Sequence, residues 1–235
     1  MWFSANLVIA AMALGMLGGG VFGLSFWEAV LTIIFFNILG LISVAFFSTF
    51  GPEFGLRQMV LSRFLVGDYA VRIFAFITGI ACVGWGAVNI MVSAQLLNMV
   101  NKPHNLPQWA GCLVVIVATI IVTLFGYKVV HTYEKWAWIP NLMVFLVFIA
   151  RLKISGNFDA GEFSSGEATA AGVLSFGGAI FGFATGWTTY AADYTVFIRK
   201  DYPKWKIFVS VTVGLIVPLL FCMILGAACV TGINK

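Results

Sequence analysis

Charged side chains are scarce in this chain. Only 9% of its 235 residues are Asp, Glu, Lys or Arg, whereas 61% are hydrophobic and the mean hydropathy is +1.02. A soluble domain of this length needs a polar surface, which thirteen basic and nine acidic residues cannot supply. The composition therefore excludes an ordinary soluble protein and indicates that lipid surrounds most of the surface.

Residues that carry enzymatic or metal chemistry are also few. The chain has two His and four Cys, and all four cysteines lie in apolar runs, which is typical of small buried side chains rather than of a disulfide framework. No metal-ligand cluster, phosphate-binding loop or nucleophile–base set is evident. We therefore expect no enzyme activity, no metal and no cofactor. The net charge of +4 comes from basic residues beside apolar segments and does not indicate a nucleic-acid partner.

Apolar residues form seven runs that are long enough to cross roughly 30 Å of hydrocarbon. This pattern predicts an all-α, polytopic membrane helix bundle. The fifth run is the shortest and contains Pro140, which predicts a kink or a tilt. The predicted spans are 2–22, 26–49, 70–98, 109–129, 136–151, 173–197 and 206–230.

The distribution of basic residues predicts the orientation of these spans, because cytoplasmic loops are enriched in Lys and Arg. An N-terminus in the cytoplasm puts nine basic residues inside and four outside, and it leaves an acidic loop outside at 156–172. The inner residues are Arg57, Arg63, Arg72, Lys128, Lys135, Arg199, Lys200, Lys204 and Lys206. The outer ones are Lys102, Arg151, Lys153 and Lys235.

Two glycine-rich stretches with polar residues, Ser4–Gly20 and Gly177–Tyr190, fall on the first and sixth spans. In lipid a weakened helix is tolerated only where it lines a cavity. Paired broken helices at matching positions of two repeats mark the central site of a transporter. The pattern therefore predicts a carrier, whose first broken helix contains Asn6. An amide inside hydrocarbon is costly unless it is bonded, so Asn6 faces protein or water, and it either contacts the substrate or braces the unwound turn.

The third span holds Trp85 and Asn89, which are four residues apart and so share one face of a helix. Together they offer a flat aromatic surface beside an amide that can donate and accept hydrogen bonds. A planar heterocycle needs both groups, since base–aromatic stacking contributes about 1–3 kcal/mol. The alternative is a Trp packed between helices and an Asn bonded to a neighbouring helix.

The sixth span has glycines at every fourth position, Gly178, Gly182 and Gly186. Such a stripe allows another helix to pack closely. The polar residues that follow favour a site or hinge instead, with Trp187 as a second aromatic surface. Asp193, near the inner end of the span, is a candidate for gating, for a helix-end role or for simple placement at the interface.

Two segments between the predicted spans each allow two interpretations of their role. Glu134 follows the fourth span, and it either couples a proton to substrate movement or is a solvated loop residue paired with Lys135. The segment 51–67 mixes apolar and basic residues after Gly51 and Pro52, which predicts a short amphipathic piece at the cytoplasmic interface. That piece is either an anchor on the lipid surface or a gate that moves during transport.

Two long motifs carry a family resemblance. Gly51–Phe64 reads Gly-Pro-Glu-Phe-Gly-Leu-Arg-Gln-Met-Val-Leu-Ser-Arg-Phe, and Phe181–Val196 reads Phe-Gly-Phe-Ala-Thr-Gly-Trp-Thr-Thr-Tyr-Ala-Ala-Asp-Tyr-Thr-Val. With these motifs the chain resembles the fungal purine–cytosine permeases of the nucleobase–cation symporter-1 family. The resemblance implies a twelve-helix LeuT-type inverted-repeat fold. It also implies proton-coupled uptake of cytosine and of purines such as adenine, guanine and hypoxanthine across the plasma membrane.

The resemblance also implies roles for particular residues. Trp85 and Trp187 would sandwich the base, Asn89 would contact its edge, and Glu134 would bind substrate and couple the proton. The chain would then hold helices one to seven, divided into a first five-helix repeat (1–151), an extracellular loop (152–172) and the start of a truncated second repeat (173–235). Such a fragment is expected to be inactive alone. The alternatives are a truncated non-transporting membrane protein and a carrier of the same fold for uracil or allantoin.

Overall fold

The computed structural model describes residues 1–100, 107–156 and 158–231. Every regular element in those ranges is helical, which confirms the all-α prediction. Lys102 and Lys235, which were counted for the orientation, lie outside the described residues, as does the side chain of Lys128. The elements in chain order are α1 (Trp2–Asn6), α2 (Ile9–Gly20), α3 (Phe26–Ser48), α4 (Phe50–Phe54), α5 (Gln58–Val66), α6 (Asp68–Val100), α7 (Gln108–Leu124), α8 (Tyr127–Ser155), α9 (Glu167–Thr185), a 3-10 segment (Gly186–Tyr194) and α10 (Lys204–Val230).

The apolar helices correspond one to one with the seven predicted spans. Within the described part of the chain, five stretches are long and apolar enough to cross a membrane, and two shorter apolar helices, α2 and α7, match the first and fourth spans. The five long stretches are Phe26–Phe54, Asp68–Asn98, Val129–Ser155, Glu167–Tyr194 and Lys204–Val230. This arrangement is that of a polytopic helical membrane protein.

The fifth span is longer than predicted. The prediction of 136–151 followed only the apolar run, whereas α8 begins at Tyr127 and ends at Ser155. Gly126, with φ of +79°, forms the turn after α7, and the polar residues that follow it are already helical. Pro140 lies inside α8 without ending it. Polarity therefore marked the end of the apolar run and not the end of the helix.

The chain divides into two compact units, and residues 1–62 and 136–235 form the first. In its core α10 packs against α2 and α3, and α3 packs against α9. Two glycines allow α2 and α10 to approach closely. A Cβ on Gly15 would overlap the backbone of Met223, and a Cβ on Gly226 would overlap that of Met12. The glycines of the first span are thus used for packing.

The second unit comprises residues 63–135, in which α6 packs along α7. Gly111 of α7 faces Ala94 of α6, and a Cβ at Gly111 would lie 3.2 Å from the Ala94 Cβ. The predicted division into repeats at 151 and 172 follows the resemblance rather than this contact-based division, and it stays a prediction.

The first span is interrupted between α1 and α2. The interruption falls on Leu7 and Val8, where Val8 has extended dihedral angles, and not on the glycines of 15–20. The Asn141 Nδ2 atom donates to the carbonyl oxygen of Leu7 at 2.9 Å, which satisfies an acceptor released by the interruption. A residue of α8 therefore supports the break in the first span.

The sixth span also changes conformation along its length. The α9 helix gives way to the 3-10 segment at Gly186, and Tyr190 within that segment has non-helical dihedral angles of −142° and 21°. A 3-10 segment inside a long helix marks a hinge or a strained sequence. The prediction of a weakened sixth helix therefore agrees with the structure, which locates the change at Gly186.

Candidate functional site

The two interrupted spans meet through aromatic side chains of the first unit. Trp2 of α1 lies edge-on to Trp187 of the 3-10 segment, with ring centroids 5.6 Å apart, and to Tyr194 at 5.0 Å. Trp187 also lies edge-on to Tyr190 at 5.4 Å. We call these four residues the aromatic cluster. Edge-to-face contacts of this kind contribute about 0.5–1.5 kcal/mol each. The cluster therefore holds the Trp187 ring in one orientation at the break of the sixth span.

Asn6 closes α1 immediately before the first break. Its side chain is fully buried, and its Nδ2 atom donates to the carbonyl oxygen of Trp2 at 2.9 Å. Its Oδ1 atom is buried and has no hydrogen-bond partner among the described residues. The Nδ2 contact lies within α1 and the Oδ1 atom has no partner in the described part of the chain, so both interpretations open from the sequence, substrate contact and bracing of the unwound turn, stay predictions.

The glycine stripe of the sixth span does not pack against a helix in the described part of the chain. A Cβ placed on Gly178, Gly182 or Gly186 would meet no atom within 4 Å. The close packing of α9 on α3 comes from neighbouring positions. Gly177 lies against the Phe36 ring, and Ala184 lies against Gly40. The packing interpretation of the stripe therefore finds no partner among the described residues and stays a prediction, and Gly182 lies within α9 rather than at the break.

Trp85 and Asn89 lie on α6, in the second unit. The helix is continuous through both residues, and the Asn89 Nδ2 atom donates to the carbonyl oxygen of Trp85 at 2.8 Å. The predicted arrangement, one residue above the other on one helical face, is therefore present. Trp85 is 45% exposed in the structure, and both interpretations of the pair stay predictions.

Glu134 also belongs to the second unit, but it is not a loop residue. It lies on α8 and is half-buried at the edge of a cavity of about 710 Å³. The cavity also includes Ser93, which is one helical turn beyond Asn89 on the same face of α6. The expectation of a solvated loop residue is corrected by the helical continuation described above. The other residues around the cavity are mostly apolar and come from α6, α7 and α8, among them Leu96, Val115, Thr119 and Tyr133.

Asp193 has a partner that sequence reasoning did not identify. Its Oδ1 atom accepts a hydrogen bond from the backbone N–H of Gln58 at 2.7 Å. Gln58 begins α5, so the carboxylate lies at the N-terminus of that helix, where negative charge is stabilised. The two residues are 135 positions apart, and no local pattern indicates the pair.

A second missed residue, Glu28, left a signal in the sequence. Ser25 and Glu28 form a capping box at the start of α3, a pattern recognisable from Ser-x-x-Glu before an apolar run. The Glu28 Oε1 atom also accepts from the backbone N–H of Ser164 at 2.6 Å and from its hydroxyl at 3.0 Å. Glu28 therefore ties the loop before α9 to the start of α3.

These features define the class of the protein. The described residues form seven apolar helices that match membrane spans, the first and sixth spans are interrupted, and Trp2 of the first span contacts Trp187 of the sixth. Interrupted helices that meet in this way are typical of secondary transporters. The chain therefore has the architecture of a multi-pass membrane protein of the transporter class.

Comparison with known proteins identifies the family. The family model described as permease for cytosine/purines, uracil, thiamine, allantoin matches residues 1–234, and the chain belongs to this family. It is 64% identical over 230 residues to the purine-cytosine permease FCY2 and 63% identical over 228 residues to the purine-cytosine permease FCY21, both of Saccharomyces cerevisiae. It is 49% identical over 231 residues to the purine-cytosine permease fcyB of Emericella nidulans.

These matches cover nearly all of this chain but less than half of each relative. The aligned part is 97% of the chain and 43% of FCY2 and FCY21, and it is 98% of the chain and 45% of fcyB. No solved structure matches the chain.

Proposed function

We propose that this chain is the N-terminal part of a symporter that takes up cytosine and purines, among them adenine, guanine and hypoxanthine, together with protons. The observation that carries the proposal is the aromatic cluster, which joins the interrupted first and sixth spans. The family match and the printed names of the relatives support nucleobases as the substrate class. Transport would occur by alternating access around a site near the membrane midplane.

In the proposed site a planar base is sandwiched between Trp85 and Trp187. Both are large aromatic surfaces, and Asn89 stands one turn from Trp85 with an amide that can contact the hydrogen-bonding edge of a base. A site that hydrogen-bonds its ligand discriminates strongly against analogues that lack the matching groups. Stacking alone is tolerant of base identity, so Asn89 is the residue proposed to confer selectivity.

Glu134 is proposed to contact the substrate and to carry the coupling proton. A carboxyl group on a membrane helix is costly unless it has a function or a partner, and ionisable residues of this kind mark proton and substrate pathways. Its half-buried position beside a mostly apolar cavity supports the proposal. The proton is then the coupling ion, and no cofactor is needed.

We further propose a location in the plasma membrane with the N-terminus in the cytoplasm. The excess of basic residues on one side, nine against four, supports this orientation.

Uptake by the complete open reading frame that encodes this chain tests the function. Expressed in a host that lacks nucleobase permeases, it should take up labelled cytosine and adenine, and unlabelled guanine and hypoxanthine should compete. Failure of cytosine and adenine to enter would overturn the proposal. Uptake of uracil or allantoin instead would establish the second candidate, which the family description favours because it includes both compounds.

A further inference from the structure

The segment between α3 and α5 is bound to the end of the sixth span by polar contacts. We call residues 48–58, from the last residue of α3 to the first residue of α5, the connector. It contains α4 and Gly55, whose φ of +64° forms the turn before α5. All of its contacts described below lie within the first unit. Sequence reasoning left open whether this region is a lipid-surface anchor or a moving gate.

The first contact is reciprocal and joins Gln58 to the 3-10 segment. The Gln58 backbone N–H donates to Asp193 Oδ1 at 2.7 Å, and the Ala192 backbone N–H donates to Gln58 Oε1 at 3.3 Å. Gln58 is only 4% exposed. A carboxylate that accepts a backbone N–H makes a charge-assisted hydrogen bond, which is stronger than a neutral one. Gln58 therefore faces the sixth span rather than lipid.

The second contact lies two residues further along the chain from Asp193, at Thr195. The Thr195 hydroxyl donates to the Ser48 carbonyl oxygen at 2.6 Å, and both residues are almost fully buried. Gly51 fits directly against Thr195 and the backbone of Ala192, where any Cβ would overlap both. The connector is thus seated closely on the end of the sixth span.

A third contact is weaker. Lys204 Nζ and Glu53 Oε2 are 2.7 Å apart, but both side chains are substantially exposed, so this ion pair contributes little. The first two contacts consist of hydrogen bonds, and water can replace each of these bonds when the connector separates from the sixth span. A 3-10 segment has poorer internal hydrogen bonds than an α-helix, so this end of the sixth span changes shape more easily than α9 does.

We infer that Asp193, Gln58 and Thr195 form a latch that holds the connector against the end of the sixth span and releases it during transport. Because these contacts attach the connector to the sixth span, they favour the interpretation of this region as a gate over its interpretation as a lipid-surface anchor. The purpose of the release rests on the proposed transport function, and its cytoplasmic location rests on the predicted orientation. The latch itself rests only on contacts within the first unit.

The exposure of Ser48 reports whether the latch is open. In the complete open reading frame, Ser48→Cys is placed in a background whose other cysteines are replaced, and its labelling by a membrane-permeant maleimide is timed. The Ser48 side chain is fully buried and bonds only to Val44 within its own helix, so the cysteine leaves the latch intact. We expect slow labelling in this parent and at least tenfold faster labelling after Asp193→Ala.

Two further variants and one control make the test decisive. Thr195→Val keeps the side-chain volume but removes the hydroxyl, so it should also speed labelling, and it decides the matter if Asp193→Ala fails to reach the membrane. Asp201→Ala removes a nearby carboxylate that pairs with Arg199 and takes no part in the latch, so labelling should not change. Unchanged labelling in both latch variants, or equal acceleration by Asp201→Ala, would overturn the latch.

Uptake distinguishes this inference from the proposed function. Labelling depends on no particular substrate, so faster labelling in a protein that carries no nucleobase would retain the latch and reject the nucleobases. Uptake of cytosine together with equally slow labelling in all variants would retain the nucleobase substrates and reject the latch. If both proposals hold, saturating cytosine should change the labelling rate of the parent and leave the Asp193→Ala rate near its raised value.

Discussion

At the scale of single residues, the chain separates side chains that hold the fold from side chains available to a ligand. Asn6 and Asn141 use their amides at the first break, on the carbonyl oxygens of Trp2 and Leu7. Asn89 uses its amide on its own helix, while its neighbour Trp85 remains largely exposed. Three asparagines of similar chemistry are therefore predicted to respond differently to substitution.

Asn89→Ala should impair nucleobase uptake without reducing the amount of protein in the membrane. Its bond to the Trp85 carbonyl lies within α6, and helices tolerate alanine well, so folding should be preserved. Loss of a ligand hydrogen bond of about 1.5 kcal/mol corresponds to a roughly tenfold rise in KM. Labelled cytosine uptake and surface immunoblotting measure the two quantities.

The matched control for Asn89→Ala is Asn98→Ala on the same helix. Asn98 bonds to Gln108 at the start of α7 and is not proposed to touch substrate. Equal uptake by the Asn89 variant and the parent would remove Asn89 from the site.

Glu134→Gln should uncouple uptake from the proton gradient. The amide keeps the shape of the side chain but cannot carry a proton, so accumulation driven by an acid exterior should be lost. Exchange of labelled for unlabelled cytosine at equal pH requires no net proton movement and should be better retained. Glu167→Gln, at an exposed position in the first turn of α9, is the control. Gradient-driven accumulation that survives Glu134→Gln would contradict the coupling role.

At the scale of elements, glycine has two opposite uses in neighbouring helices. Gly15 of α2 permits contact with the backbone of α10, whereas Gly178 of α9 faces open space in the described structure. Replacing a helical glycine by alanine lowers the conformational entropy of the unfolded chain and favours the helix by about 1 kcal/mol. The sign of the net effect therefore depends on the space available for the added methyl group.

Gly15→Ala should destabilise the protein, and Gly178→Ala should not. The new Cβ at position 15 would overlap the Met223 backbone, so α2 and α10 must separate, which costs about 1–3 kcal/mol. At position 178 the added methyl group meets no neighbouring atom, so only the gain in helix propensity remains. Thermal unfolding of detergent-purified protein should show a lower midpoint for the first variant and an equal or higher midpoint for the second. Equal midpoints for both would show that α2 does not pack on α10 as described.

Glu28→Ala should release the loop before α9. The carboxylate completes the capping box with Ser25 and accepts two hydrogen bonds from Ser164, so its loss removes an N-cap interaction of about 1 kcal/mol and the loop's attachment. Limited proteolysis should cut within 158–166 faster than in the parent. Glu162→Ala removes an exposed carboxylate from the same loop and should leave the cleavage rate unchanged. Equal cleavage in both variants would mean that Glu28 does not hold the loop.

At the scale of the whole molecule, the sequence predicted what is local and missed what is distant. Runs of apolar residues located all seven spans, and Trp85 and Asn89 share a helical face because spacing alone determines this. The first break was expected somewhere within 4–20, and the structure locates it at Leu7, whose carbonyl oxygen accepts a hydrogen bond from Asn141, 134 residues away. Asp193 and Gln58 are likewise joined by the fold and not by any motif.

The coverage of the relatives leads to a prediction for the chain taken alone. The aligned 97% of the chain covers 43% of each of the two yeast permeases, and a carrier that works by alternating access needs two repeats that move against each other. Expressed without further sequence, the chain should therefore insert in the membrane but take up no cytosine, whereas the complete open reading frame should transport it. Both are compared in the permease-deficient host at matched surface levels. Uptake by residues 1–235 alone would contradict the assignment of this chain to part of a two-repeat carrier. Absence of uptake by both would favour the non-transporting alternative, because the frame itself would then lack the activity.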